Sequence, residues 1–435
     1  MSYMDILWGP VNWWYQTEKP LHLQQLDAFR KGTRNFEEDQ VNCAMSALVE
    51  KVEWDLNILA AADLEYYDTF KYRVTWLSFS TYYFTHQTAK DVLGRICKFI
   101  LSFPLISGVK TKIEKGVDKD YQQLGYISNY PPVYSEELVS QFYRDLLKVS
   151  KNDQRVIKSL IITHDISLNI FIAISENAEG LTSLEATVES KNLDKNPKFL
   201  KALSEFPVIK TLKISADLHD FHVKTIVASS PLIEDLDLAG NPKLGRGALL
   251  DIAKLTHLVH LKVRCLNPFD KTPLLEGVVF ASMLQTFYLG SDYCILTPFT
   301  IKDLTHAVPK NLQLLFLDNL KLDPQELSLL SHFSSLQYLS VHNYIMSDGK
   351  LIRTIAAALP QLIGLSLKNW WIYKEEIKEI PNFKGLKSIK LGNFQGCEGF
   401  RASFDDLKSK NPSITNLQVT LVNNQPIDRF LCFSS

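Results

Sequence analysis

The chain has 435 residues, 47 Lys+Arg against 48 Asp+Glu, and a formal net charge of −1. That balance argues against a binding mode built on neutralising nucleic-acid phosphates with a basic surface. With 46% hydrophobic and 22% charged residues, the composition is globular, and no apolar run reaches the roughly 18 residues of a membrane-spanning helix.

The opening segment, MSYMDILWGPVNWWYQTEKP, lacks the basic start, apolar run and small-residue cleavage site of a secretory signal. The six cysteines are scattered, with no C-x-x-C pair, and the one N-x-[ST] triplet, Asn411-Pro412-Ser413, is blocked by its proline. Reduced thiols and a cytoplasmic or nuclear location are the expectation. The cluster of Trp8, Trp13, Trp14 and Tyr15 is either a docking peptide or a set of rings folded over the first apolar layer. Residues 1–73 read as a helical N-terminal segment.

Residues 74–156 carry weak copies of a pattern that becomes regular later: VTWLSF from Val74 and ISGVKT from Ile106. Helices are expected at TAKDVLGRICKFILSF before the second copy and at EELVSQFYRDLLKVS after it.

From Ile157 to about Thr420 the pattern recurs without a gap. It reads IKSLII from Ile157, LTSLEA from Leu181, IKTLKI from Ile209, IEDLDL from Ile233, LVHLKV from Leu258 and LQTFYL from Leu284. It continues as LQLLFL from Leu312, LQYLSV from Leu336, LIGLSL from Leu362, LKSIKL from Leu386 and ITNLQV from Ile414, with steps of 24 to 28 residues. The last four residues of each hexad alternate, which predicts a strand with one buried face. Between hexads, NPKFLKALSEF, RGALLDIAKL, DPQELSLLSHF, GKLIRTIAAAL and KEEIKEIPNF space their apolar residues as helices do. A strand and a short helix in about 25 residues cannot bury their own apolar faces, so each unit must stack on its neighbours. Residues 421–435 read as a C-terminal tail or cap.

These hexads resemble those of leucine-rich-repeat proteins, of the intracellular ribonuclease-inhibitor-like type with helices on the convex side. The resemblance implies an α/β solenoid, or horseshoe, preceded here by the helical segment. In that family a ladder asparagine or cysteine falls eight positions after the first leucine. Asn241 does so, whereas Asn319, Asn343, Asn369 and Asn393 fall one position early, which predicts irregular loops after those strands. A helical segment ahead of such repeats also resembles the F-box proteins, whose three-helix motif docks a ubiquitin-ligase adaptor. The local match runs from Leu48 to Trp76, with Leu48, Leu59, Leu64 and Trp76 as adaptor-docking candidates. No Leu-Pro opens it, and Trp76 also lies within the hexad from Val74. A plain helical cap, which a solenoid end needs, is the other reading.

If hexad positions one, four and six face the core, then three, five and seven line the concave face. This places Asp235, Asp237, His260, Lys262, Arg264, Tyr288, Leu314, Phe316, Tyr338 and His342 on that face, with Trp370 and Trp371 on its rim. Tyr288, Leu314, Phe316 and Tyr338 form an apolar strip over three repeats, and the acidic pair adjoins a basic trio. Such a surface suits a protein partner.

No motif of chemistry appears: no G-x-x-x-x-G-K-[ST], H-E-x-x-H or G-x-S-x-G. Gly240, Gly245 and Gly247 read as turn glycines of a repeat loop. His257 and His260 read as a partly buried and an exposed imidazole. Asp217, His219, Asp220 and His222, in ADLHDFH, read as a polar inter-repeat loop, the closest approach to a metal-ligand set. The expectation is a non-enzymatic interaction module without cofactor or metal. Its partner is a protein on the concave face, with a Skp-type adaptor at the N-terminal helices if the F-box resemblance holds.

Overall fold

Alternation decides the two faces of every strand, and the burial of each hexad follows it. In β5 (Thr211–Ser215), Leu212 and Ile214 are buried with Ile209, while Lys213 is exposed. The same assignment holds at the first, fourth and sixth positions of the hexads from Ile157, Leu181, Ile233, Leu258, Leu284, Leu312, Leu336, Leu362 and Leu386. Each fully buried Leu, Ile or Phe contributes roughly 1.5–3 kcal/mol. The chain is therefore a leucine-rich-repeat α/β solenoid.

The computed structural model describes residues 76–82, 94, 97, 100–101, 107–114, 136–152, 157–189, 193, 196–264, 273–291, 300–318, 320, 324–346, 350–371, 374–394, 407, 414–421 and 431–433. They belong to two units, Met1–Glu189 and Ser190–Ser435.

The first unit holds β1 (Trp76–Tyr82), β2 (Gly108–Glu114), α1 (Glu136–Asn152), β3 (Ser159–Ile166), α2 (Leu168–Ser175) and β4 (Ser183–Val188). Its four strands are parallel in chain order. Leu77, Val109, Leu160 and Leu184 are register partners, so the weak hexads from Val74 and Ile106 share the phase of the regular ones. Buried Tyr143 of α1 shares a 2.7 Å hydrogen bond with buried Thr111 of β2, satisfying both hydroxyls. Helical Cys97 is buried, and burial, aided by the Asp145 carboxylate, pushes its thiol up to about 12, leaving it a protonated core side chain.

The second unit runs β5, β6 (Asp235–Leu238), β7 (His260–Arg264), β8 (Thr286–Gly290), β9 (Leu314–Asp318), β10 (Tyr338–Met346), β11 (Gly364–Trp371), β12 (Ser388–Phe394) and β13 (Asn416–Leu421), all parallel. Antiparallel β14 (Leu431–Phe433) then pairs with β13, a strand the periodicity does not foretell. One backbone device joins the repeats. Between successive strands from β5 to β12 the carbonyl of the second hexad residue accepts two N–H groups of the next repeat, as Glu234 does from Val259 (2.7 Å) and His260 (3.0 Å).

The connecting helices are α3 (Pro197–Leu203), α4 (Asp220–Ser229), α5 (Arg246–Ile252), α6 (Ile301–Ala307), α7 (Leu351–Ala358) and α8 (Lys374–Ile377). Asn196 caps α3, its side chain accepting from Lys198 N at 3.0 Å, with Pro197 in the first turn where no N–H is needed. Three corrections to the periodicity reading arise here. DPQELSLLSHF forms a 3-10 helix, Pro324–His332. KEEIKEIPNF breaks into α8 and a 3-10 turn, Ile380–Asn382, because Pro381 has no N–H to continue a helix. And α2, α4 and α6 occupy stretches where no helix was expected. Among the described residues no helix is long and apolar enough to cross a membrane.

The ladder asparagine does what its spacing predicts. Asn241 is fully buried, its Oδ1 accepting from Ala216 N (2.8 Å) and Leu218 N (3.2 Å) and its Nδ2 donating to Ile214 O (2.6 Å) and Leu238 O (3.0 Å). Asn343, Asn369 and Asn393, one position early, sit inside lengthened strands whose pairing slips between His342 and Ile345 and between Gly392 and Phe394. The irregularity is thus a strand that continues and bulges. Asn319 lies outside the described residues.

Candidate functional site

The face of the second unit's sheet opposite the core carries hexad positions three, five and seven. On β6 these are half-buried Asp235 and Asp237, and on β7 exposed His260 and Lys262 with half-buried Arg264. Half-buried Tyr288, Leu314 and Phe316 follow on β8 and β9, then Tyr338, 40% exposed, and half-buried His342 on β10. Trp370 and Trp371 end β11 in register with Ile345 and Met346. Leu48, Leu59 and Leu64 lie outside the described residues, as does the Trp8–Tyr15 cluster, and Trp76 opens β1 at a third hexad position.

Asp318, which the alternation places on this face with Leu314 and Phe316, is its hub. Register places Arg264, Gly290, Asp318 and His342 in one row across β7 to β10. Gly290 is the gap through which Arg264 reaches over β8: a Cβ there would lie 3.3 Å from Arg264 Nε and 3.1 Å from the Tyr288 hydroxyl oxygen. Arg264 Nη2 then meets Asp318 Oδ2 at 2.9 Å and the Tyr288 hydroxyl at 3.2 Å, while Tyr288 donates to Asp318 Oδ2 at 2.9 Å. From the other side His342 Nδ1 lies 3.5 Å from Asp318 Oδ1, and its Nε2 lies 3.1 Å from Ser340 Oγ and 3.4 Å from Ser366 Oγ. The signal for this hub was present in the sequence: an aspartate in the seventh position, one repeat before a histidine and two after an arginine.

His342 holds the Asp318 carboxyl below the usual carboxylate range against its partial burial, with Tyr288 and Arg264 adding to the effect. Burial pushes the Tyr288 phenol up. Asp235 is likewise raised, first by burial and then by Asp237, against the pull of His260. A depressed carboxyl stabilises the fold above its unfolded pKa, about 3.9 for aspartate, and that contribution is lost as pH falls through the lower folded value. The stability difference between the native chain and Asp318→Asn is therefore expected to shrink between about pH 5 and pH 2. Urea midpoints at the two pH values measure it, and a difference that stays constant rules the carboxylate out as its source.

A second link closes the acidic end. Lys262 Nζ lies 3.2 Å from Asp237 Oδ2 and 5.5 Å from the Tyr288 ring centroid, and Asp237 Oδ1 accepts from Ala239 N at 3.0 Å. The acidic pair and basic trio are thus partly spent on each other. His260 Nδ1 is 3.0 Å from Thr286 Oγ1.

The apolar strip forms one platform. The Tyr288 and Phe316 rings are 6.4 Å apart at 38°, and Leu314 pairs in register with Tyr338. The Tyr338 ring lies over Gly364 of β11, where a Cβ would come within 2.4 Å of its Cδ1. Glycine at that position lets the ring lie along the sheet.

The residues nearest to a metal-ligand set have separate structural duties. Asp217, at φ 53°, pairs with Lys243 at 2.5 Å, and Asp220 Oδ1 accepts from Gly245 N at 2.7 Å. Fully buried His222 accepts from His219 N at 3.0 Å and packs edge-on to Phe199. The segment read as a polar loop instead opens α4, with His219 as its N-cap. Gly247 likewise lies in the first turn of α5 rather than in a loop, and His257 is exposed rather than partly buried. Among the described residues no group of three or more His, Cys, Asp or Glu could hold a metal ion.

No family model matches the chain, and no curated protein matches it. Among solved structures it is similar to an internalin, InlF, of Listeria monocytogenes, with 14% identity and a TM-score of 0.40 over 81% of this chain and 88% of that one. It is similar also to the yeast Rad7 and Elc1 complex, with 12% identity and a TM-score of 0.43 over 84% and 90%. At these identities and TM-scores the likenesses carry nothing about partner or activity.

Proposed function

We propose that this chain is a non-enzymatic protein-interaction module that takes its partner on the open face of β6 to β11. The observation that supports it is the platform of Tyr288, Leu314, Phe316 and Tyr338, left partly exposed beside charged side chains that already hold one another in place. Pre-positioned aromatics bordered by ordered polar groups are what a protein interface uses as anchors. The finer reading is a substrate receptor of a cullin-RING ubiquitin ligase, acting in the cytoplasm or nucleus. In it a Skp-type adaptor binds through Leu48, Leu59, Leu64 and Trp76, and ubiquitin transfer belongs to the partners. It rests on the sequence resemblance of the Leu48–Trp76 segment alone. The alternative is a ligase-independent scaffold or assembly factor whose N-terminus is a cap.

Co-purification from cells of the full chain, of Tyr288→Ala/Phe316→Ala and of Leu59→Asp/Leu64→Asp separates these. The aromatic pair is expected to lose its partner by about thirtyfold or more in affinity, the effect of removing a hot spot worth roughly 2 kcal/mol. The repeat fold should persist. Loss of an adaptor and cullin from the leucine variant alone supports the receptor. Their absence from every preparation, with partners retained by the leucine variant, supports the scaffold. Partner binding that survives the aromatic change sinks the open face as the site.

A further inference from the structure

The charges on this face are not evenly spent. Positions three, five and seven of β5 to β12 hold five Lys or Arg (Lys213, Lys262, Arg264, Lys368, Lys390) and three Asp (Asp235, Asp237, Asp318). The face is thus cationic on a chain whose net charge is −1. Asp318 is taken up by Arg264, Tyr288 and His342, and Asp237 by Lys262 and Ala239 N. On the β7 side of the platform the cations therefore have carboxylates. On the other side, Lys368 of β11 and Lys390 of β12 are exposed, and among the described residues no carboxylate pairs with either.

Resting on the reading of this face as a partner surface, we infer that it binds a polypeptide segment with an aliphatic or aromatic anchor and Asp or Glu residues to one side of it. The anchor sits on Phe316 and Tyr338, and the acidic residues meet Lys368 and Lys390. Register sets Lys390 two strands across and two residues along from Tyr338, and Lys368 one strand across and four residues along. With strands about 4.8 Å apart and about 3.3 Å per residue, the two lie roughly 12 and 14 Å from Tyr338. An extended chain covers that in about four residues. The acidic residues therefore fall about three to five positions from the anchor. A basic segment meets the uncompensated lysines and is repelled, which sets specificity as well as affinity.

Selection of a random 12-residue peptide display library on the immobilised full chain tests this, with synthetic copies of the selected peptides titrated against variants. The expected peptides carry Asp or Glu about three to five residues from a Leu, Ile, Phe, Tyr or Trp. Their affinity should fall at least about tenfold for Lys368→Glu/Lys390→Glu and should weaken as salt rises from about 0.05 to 0.5 M. Both lysines are exposed, and an unchanged circular dichroism spectrum shows that the variant folds. Selected peptides that are neutral or basic, or that bind the charge-reversed variant equally, overturn the inference. If those peptides still lose binding on Phe316→Ala, the partner surface itself stands. Peptides indifferent to both changes, or no selection at all, overturn the two together.

Discussion

Replacing Phe287 by alanine is expected to destabilise the second unit by about 3–5 kcal/mol, the cost of emptying a large aromatic site in a core. The same replacement at Phe316 should cost about 1 kcal/mol or less. The two phenylalanines sit one repeat apart, in adjacent strands of one sheet. Phe287 holds a fourth hexad position, is 0% exposed and packs 5.3 Å from the Phe280 ring centroid. Phe316 holds a fifth position, is half-buried and lies on the opposite face. Urea unfolding measures both, read as a shift in midpoint at unchanged slope. Equal losses would mean that the two faces are not core and surface. The contrast isolates facing from residue chemistry, because the side chain removed is the same.

Asn241→Ala is expected to cost roughly 2–4 kcal/mol, although it removes little apolar volume. Its fully buried side chain satisfies two backbone N–H groups and two carbonyls, and a buried group left unpaired costs about 1–3 kcal/mol. Three of the four partners, Ile214, Ala216 and Leu218, belong to the preceding repeat or to the turn that leads into α4. The loss is therefore expected to loosen the β5–β6 junction first. Amide exchange of Ala216 and Leu218 measures this directly: both protons should exchange markedly faster in the variant. Unchanged protection would show that the ladder bonds are replaced. Asn241→Asp should be nearly as harmful, since a carboxylate cannot donate to Ile214 O.

Much of this fold is legible in the sequence because its information is local. A strand's side chains alternate by backbone geometry alone, so a hexad with apolar first, fourth and sixth residues has one possible core face. Asn241 was legible for a similar reason: its distance from the first leucine of its own hexad fixes where the turn brings it. The prolines of the turns, Pro207, Pro231 and Pro360, mark helix ends in the same local way. Connecting helices were less legible. DFHVKTIVAS of α4 mixes polar and β-branched residues and has a weak helical pattern, yet it is helical because its apolar residues Val223, Ile226 and Val227 have a neighbouring repeat to pack against.

The candidate site divides along the same line. By itself the sequence determined which side chains lie on the open face, since alternation and repeat spacing are properties of the chain. That one face therefore gathers Tyr288, Leu314, Phe316 and Tyr338 beside Asp235, Asp237, Lys262 and Arg264 follows from the hexads alone. Only the tertiary structure decided which of these side chains engage one another. Arg264 and Asp318 are 54 residues apart, and they meet because parallel register lines up their strands and Gly290 leaves the space between them open. The Tyr338 ring lies flat because Gly364, in the next repeat, lacks a Cβ. Contacts of this kind depend on what stands opposite across the sheet, and stacking repeats into register is what creates that opposition.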